Sequence, residues 1–81
     1  MLKVILQYTD CLQDGKKVFA YLASKRVAIV KTTNALCGFK PKIHVIVSDI
    51  AELNNIVHDL NTTCSYEVRV VKVIKMKGGN N

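Results

Sequence analysis

Histidine, aspartate and cysteine side chains are the residues of this chain that could do chemistry, and their spacing decides whether they act together. His44 and His58 could serve as general bases, but neither has a nucleophile or a metal-spaced ligand beside it in sequence. Asp10 and Asp49 could be read as a carboxylate pair, yet each immediately precedes a helical pattern that it would cap. We therefore expect no catalytic site, no metal site and no cofactor in this chain.

The cysteines point away from a disulfide framework. Cys11, Cys37 and Cys64 are odd in number and evenly spread, and no Cys-x-x-Cys pair is present. Apolar stretches such as residues 27–30 are far shorter than the roughly 20 residues that cross a bilayer, and the N-terminus lacks the layout of a signal peptide. The sequence therefore predicts a cytoplasmic location, small buried or half-buried thiols, and no membrane partner.

Length and charge limit the possible functions. A chain of 81 residues has room for one hydrophobic core, and 49% apolar residues are enough to fill it. Twelve Lys and Arg against six Asp and Glu give a formal net charge of +6. Such a charge favours encounter with an anionic partner such as RNA, and it would also keep a small domain soluble.

Hydrophobic periodicity predicts the elements that position these residues. Alternating or β-branched runs indicate strands, and apolar residues at helical spacing after Asp10 and Asp49 indicate helices. Because Gly15 is unfavourable inside a helix, the first helix could also start later, at Asp14. A bulge or two-sided burial is expected at Val70–Val71, where alternation fails. The predicted segments are strands over 2–7, 27–33, 43–48 and 66–74 and helices over 10–26 and 49–60.

The order of these elements predicts the fold class. Two equivalent halves, each a capped helix between two strands, form a split βαβ repeat. We expect an α+β, ferredoxin-like βαββαβ fold, with two helices on one face of a four-stranded antiparallel sheet. A single domain would cover residues 1–75, followed by a flexible tail over 76–81.

This arrangement leaves one face of the sheet without helices. The residues opposite the predicted core positions give that face an apolar centre rimmed by Lys3, Lys31, Arg69 and Lys75. A patch of this kind usually marks an interface, so we expect self-association or docking onto a partner there. The predicted interface residues are Ile5, Val30, His44, Ile46, Val71 and Val73.

The sequence resembles the ACT domain family of small regulatory βαββαβ modules. Residues 43–60 (IHVIVSDIAELNNIVHDL) and 68–73 (VRVVKV) carry most of the likeness, in the form found at the C-terminus of RelA/SpoT-type (p)ppGpp synthetase/hydrolases, also called GTP pyrophosphokinases. Residues 2–10 (LKVILQYTD) and 27–30 (VAIV) fit more loosely. The resemblance covers about residues 2–75 and is one of pattern more than identity.

The resemblance implies a regulatory domain that is not an enzyme by itself. It would control a longer parent enzyme through contacts with the parent's other domains, with ribosomal or transfer RNA, or with a second copy. In amino-acid-binding relatives the effector lies at the first strand-to-helix junction, which here comprises Asp10, Cys11, Leu12, Gln13, Asp14 and Gly15. These relatives place a Gly sooner after the Asp. A stand-alone amino-acid-binding homodimer and a basic RNA-binding module remain open as alternatives.

Overall fold

A computed structural model describes residues 1–9, 12–33 and 40–76 of the chain. Strands and helices follow one another in the order predicted from the sequence. The elements are β1 (Leu2–Gln7), α1 (Leu12–Ser24), β2 (Ala28–Thr33), β3 (Lys42–Val47), α2 (Ile50–Thr63) and β4 (Arg69–Lys75).

The strands form one antiparallel sheet. Their order is β2-β3-β1-β4, so the central pair is β3 and β1, and each helix crosses over one intervening strand. The predicted class is confirmed: the fold is α+β and ferredoxin-like, with a βαββαβ chain path.

A single core lies between the sheet and the helices. Alternate residues of the central strands, among them Val4, Leu6 and Val45, are buried on the face under the helices. The helices contribute their own apolar sides to the same cluster. The fully buried side chains from both layers include Leu6, Leu22, Ile43, Leu60, Val4, Val18, Val45 and Val47.

Local signals at the helix ends explain where the helices begin and end. Asp49 caps α2 as predicted, since its Oδ1 accepts from the Glu52 amide at 2.8 Å, while Glu52 Oε1 accepts from the Ser48 amide at 2.7 Å. Arg26 ends α1 in a left-handed conformation with φ 57°, and the amide of Val27 donates to the carbonyl of Leu22 at 3.0 Å. This 6→1 bond is the Schellman ending of a helix.

The start of α1 differs in part from the expectation. The helix begins at Leu12, so the later start at Asp14 is wrong, and Gly15 lies inside the helix. A Cβ added to Gly15 would lie 3.7 Å from Tyr8 Cε2, which is an ordinary contact. The predicted cap, Asp10, lies outside the described residues.

Both edge strands carry a bulge. In β4 the register shifts between Lys72, which pairs with Ile5, and Val70, which pairs with Leu6, so Val71 is the extra residue. This confirms the irregularity predicted at Val70–Val71. In β2 the extra residue is Val30, between the partners of Val45 and His44, and the sequence analysis did not predict it.

Met1 and Met76 extend the pairing of β1 with β4 by one hydrogen bond. The amide of Met76 donates to the carbonyl of Met1 at 3.0 Å, just beyond the last residue of β4. Residues 77–81 of the predicted tail lie outside the described part of the chain. No helix in residues 1–9, 12–33 and 40–76 is both long and apolar enough to cross a membrane.

Candidate functional site: the open face of the sheet

The sheet has a face that carries no helix, and the strand register defines its residues. Paired residues of neighbouring strands point to the same side, and Val4 and Leu6 are buried under the helices, so Lys3, Ile5 and Gln7 point to the other side. We call this side the open face. Across β2, β3, β1 and β4 it consists of three rows, which are Ala28, Ile46, Lys3 and Ile74, then Lys31, His44, Ile5 and Lys72, then Thr33, Lys42, Gln7 and Arg69.

Three isoleucines, on β1, β3 and β4, form the aliphatic part of the open face. Ile5 and Ile46 are half-buried on the central strands, and Ile74 is 36% exposed on β4. Directly paired side chains have Cβ atoms about 5 Å apart, so these residues touch their cross-strand neighbours. The described strands contain no Phe, Tyr or Trp, and His44 is the one ring that they place on the open face, so the two or three stacking rings of an RRM sheet are absent from these strands.

Cationic side chains lie beside and between these isoleucines. They are Lys3, Lys31, Lys42, Arg69 and Lys72. Among the described carboxylates, Asp14, Asp49, Glu52 and Asp59 belong to the helical layer. Glu67 meets Arg69 at 3.7 Å with both side chains largely exposed, a pair that contributes little. The open face therefore has a strong positive potential.

The positive charges of the open face affect the pKa of His44. Its pKa is lowered by desolvation first and then by the neighbouring charges of Lys3, Lys31 and Lys42. The imidazole is therefore neutral at pH 7. Its Nδ1 is buried, and no hydrogen-bond partner for it is found among the described residues. Because the folded form resists protonation, His44 contributes stability that is present above its ordinary pKa of 6.5 and is lost as the pH falls below that value.

The predicted interface residues divide into three groups. Ile5, His44 and Ile46 lie on the open face as expected. Val30 and Val71 are the bulge residues of the edge strands. The placement of Val73 on this face is wrong.

The bulge in β4 explains that error. Val73 pairs with buried Val4 and therefore lies on the helix side, where it remains 41% exposed at the sheet edge. Lys75 pairs with Leu2 on the same side, so it does not belong to the rim. Lys72 and Ile74 lie on the open face instead, and neither was predicted there from the sequence. The alternation of sides shifts by one residue after a bulge, and applying that shift beyond Val71 would have placed both residues on the open face.

The predicted effector loop is only partly described. Asp10 and Cys11 lie outside the described residues, and Leu12 is the first residue of α1. Gln13 is exposed, and Gly15 is half-buried near the ring of Tyr8. The member of this set with a defined role is Asp14.

Asp14 is a structural residue in the first turn of α1. Its side chain is 1% exposed, and its Oδ1 and Oδ2 accept hydrogen bonds from the backbone amides of Ser65 and Tyr66, each at 3.0 Å. Asn61 supports the same loop, since its amide group both donates to and accepts from the backbone of Val68, at 3.1 and 2.7 Å. Both carboxylate oxygens of Asp14 are thus engaged within the protein, which leaves little for an effector.

A groove of about 330 Å³ between α1 and α2 is a second concave feature. The hydroxyl of Tyr21 donates to Asp59 Oδ2 at 2.5 Å, and Lys25 Nζ lies 5.9 Å from the centroid of the Tyr21 ring. Glu52, the other carboxylate of this groove, already accepts from Ser48 in the cap of α2. The hydrogen bond from Tyr21 to Asp59 therefore joins the two helices across this groove.

The pKa of Tyr21 gives a test of this helix contact. Desolvation, followed by the hydrogen bond to and the charge of Asp59, raises that pKa from 10.0 to about 12. The neutral phenol is the form that the fold favours, so its contribution to stability is present below pH 10 and is lost as the pH rises toward 12. We expect an absorbance titration to show a phenol that ionises near pH 12, and Tyr21→Phe to remove that step.

Tyr66, which is 56% exposed, supplies the control. Tyr66→Phe should leave the late step in place. If Tyr66→Phe removed the late step, the contact between Tyr21 and Asp59 would not be the cause.

The described residues contain no group of three or more His, Cys, Asp or Glu side chains that could hold a metal ion. Comparison with known proteins gives no family model that matches the chain and no match to a curated protein. The open face is thus the feature of the described structure that is most suited to a function.

Proposed function

We propose that this chain is a regulatory binding domain of the ACT type, which acts on a longer (p)ppGpp synthetase/hydrolase through contacts of its sheet. One observation carries the binding role. The open face keeps Ile5, Ile46 and Ile74 partly accessible to solvent, although a small domain gains by burying such side chains. A partner that covers this face would complete the burial.

The choice of parent enzyme comes from the sequence resemblance, which lies mainly in β3, α2 and β4. The βαββαβ fold supports it, because ACT domains have this chain path. A fold of this kind hosts many functions, so the site and the resemblance carry the argument together.

A test in trans addresses the regulatory role. We expect the purified chain, added to the hydrolase and synthetase region of the (p)ppGpp enzyme from the same organism, to change the ratio of synthesis to hydrolysis in a saturable manner. Ile5→Asp, which places a charge at the centre of the open face, should abolish the effect while leaving the circular dichroism spectrum unchanged. Rates that stay constant up to saturating chain would contradict the proposal.

A matched control separates the faces of the domain. Phe19 is 38% exposed on α1, so Phe19→Asp adds the same charge to an apolar site on the helical layer. It should leave the effect in place. Equal loss in both variants would point to general destabilisation, which overturns the assignment to the open face.

A further inference from the structure

From the charges and dimensions of the open face, we propose that its partner is an amphipathic helix with acidic residues on both sides of an apolar stripe. The inference rests on the proposed function and names the chemistry of the partner. The strand register, the cationic side chains of the open face and the absence of Phe, Tyr and Trp from the described strands support it.

The first argument is geometric. Lys31 on β2 and Lys72 on β4 end the same row, so three strand spacings separate them, or about 14 Å. An α-helix with its side chains is about 10–12 Å wide, so it fits along the strands between these lysines. Its apolar stripe would lie along the two central strands, where Ile5 and Ile46 are diagonal neighbours and His44 pairs with Ile5.

The length of the face agrees with this occupant. From the row of Lys3 to the row of Gln7 the strands advance four residues, or about 13 Å. A helix covers that distance in about nine residues. Apolar side chains of the partner helix at positions i, i+3 or i+4, and i+7 would then contact Ile5 and Ile46.

The charges decide between this partner and others. A second copy placed face to face would bring one cationic surface against another, and like charges at an interface are costly. Single-stranded RNA would satisfy the lysines, but its backbone does not bury isoleucine, and the described strands offer the imidazole of His44 and no Phe, Tyr or Trp for stacking. Glu or Asp side chains flanking an apolar stripe match both features.

Synthetic peptides test the inference on the full chain. The probe is a helical peptide with leucines at i, i+3, i+4 and i+7 and glutamates on either side. The comparison peptides are one with lysines in place of the glutamates and one in which the same residues are scrambled so that no stripe forms. We expect saturable binding of the first alone in fluorescence anisotropy, with NMR shift changes centred on Ile5, His44, Ile46 and Ile74.

Charge-reversal variants give the matched control. The double substitution Lys31→Glu with Lys72→Glu should weaken binding of the acidic peptide by roughly tenfold or more, since both flanking contacts become repulsive. Lys16→Glu with Lys17→Glu makes the same change of net charge on exposed positions of α1 and should have much less effect. Equal weakening in the two double variants would mean that net charge alone drives binding, which overturns the inference.

The remaining outcomes are also decisive. Tighter binding of a single-stranded RNA than of the acidic peptide, or dimerisation through the open face in sedimentation, would overturn the inference. If no peptide binds while the chain still changes the synthesis-to-hydrolysis ratio and Ile5→Asp abolishes that change, the helix inference fails and the proposed function stands. If the peptide binds and the ratio does not change, the proposed function fails and the surface assignment stands.

Discussion

Asp14→Asn is expected to destabilise the fold by about 3 kcal/mol, because the buried carboxylate accepts two backbone hydrogen bonds and an amide can accept only on its oxygen. The new NH₂ group would face one of the amides of Ser65 and Tyr66, which then stays buried without an acceptor. A domain of 81 residues has roughly 4–12 kcal/mol of stability, so this is a large fraction of the total. Urea denaturation measures it as a lower midpoint.

Asp49→Asn is the matched control for this substitution. Asp49 is exposed and accepts one backbone hydrogen bond, from Glu52, and Asn caps helices about as well as Asp. Its cost should stay within about 0.5 kcal/mol. Should the two variants unfold at the same urea concentration, the bonds from Asp14 to the loop before β4 would contribute nothing to stability.

Leu60→Ala is expected to cost about 3–4 kcal/mol, since Leu60 on α2 is fully buried in the core between helix and sheet and its removal leaves a cavity. For a domain of this size each kcal/mol lowers the melting temperature by roughly 4–8 °C. Thermal denaturation followed by circular dichroism would show the loss.

Ile50→Ala provides the comparison on the same helix. Ile50 lies in the first turn of α2 and is 52% exposed, so truncating it removes little buried surface. Its effect should stay within about 0.5 kcal/mol. A loss as large as that of Leu60→Ala would contradict the placement of the core on the opposite side of α2.

Periodicity predicted the architecture well because local signals and burial agree in this chain. Leu2, Val4 and Leu6 alternate with polar residues on a strand that is covered on one side only, which is the situation that period-2 alternation describes. The Asp49 cap and its box with Glu52 fixed the start of α2 by a local hydrogen bond. The beginning of α1 was less well predicted because Gly15 suggested a break that the helix tolerates.

The candidate site was predicted in part, and the errors have one cause. Ile5, His44 and Ile46 lie on unbroken central strands, where counting by two gives the correct side. Val73 lies beyond a bulge that reverses the count, and which residue of a bulge is the extra one depends on pairing with β1, a long-range property. The role of Asp14 likewise depends on a loop 51 and 52 residues away along the chain, which no local pattern reveals.

The irregularities of the two outer strands also bear on how the chain behaves when concentrated. β2 and β4 both expose a backbone edge, and β4 carries valines and an isoleucine along most of its length. Val30 and Val71 interrupt the even spacing of amides and carbonyls on these edges, and a lysine follows each of them. A chain that tried to extend the sheet would meet a kink and a charge on either side, which works against growth into fibrils.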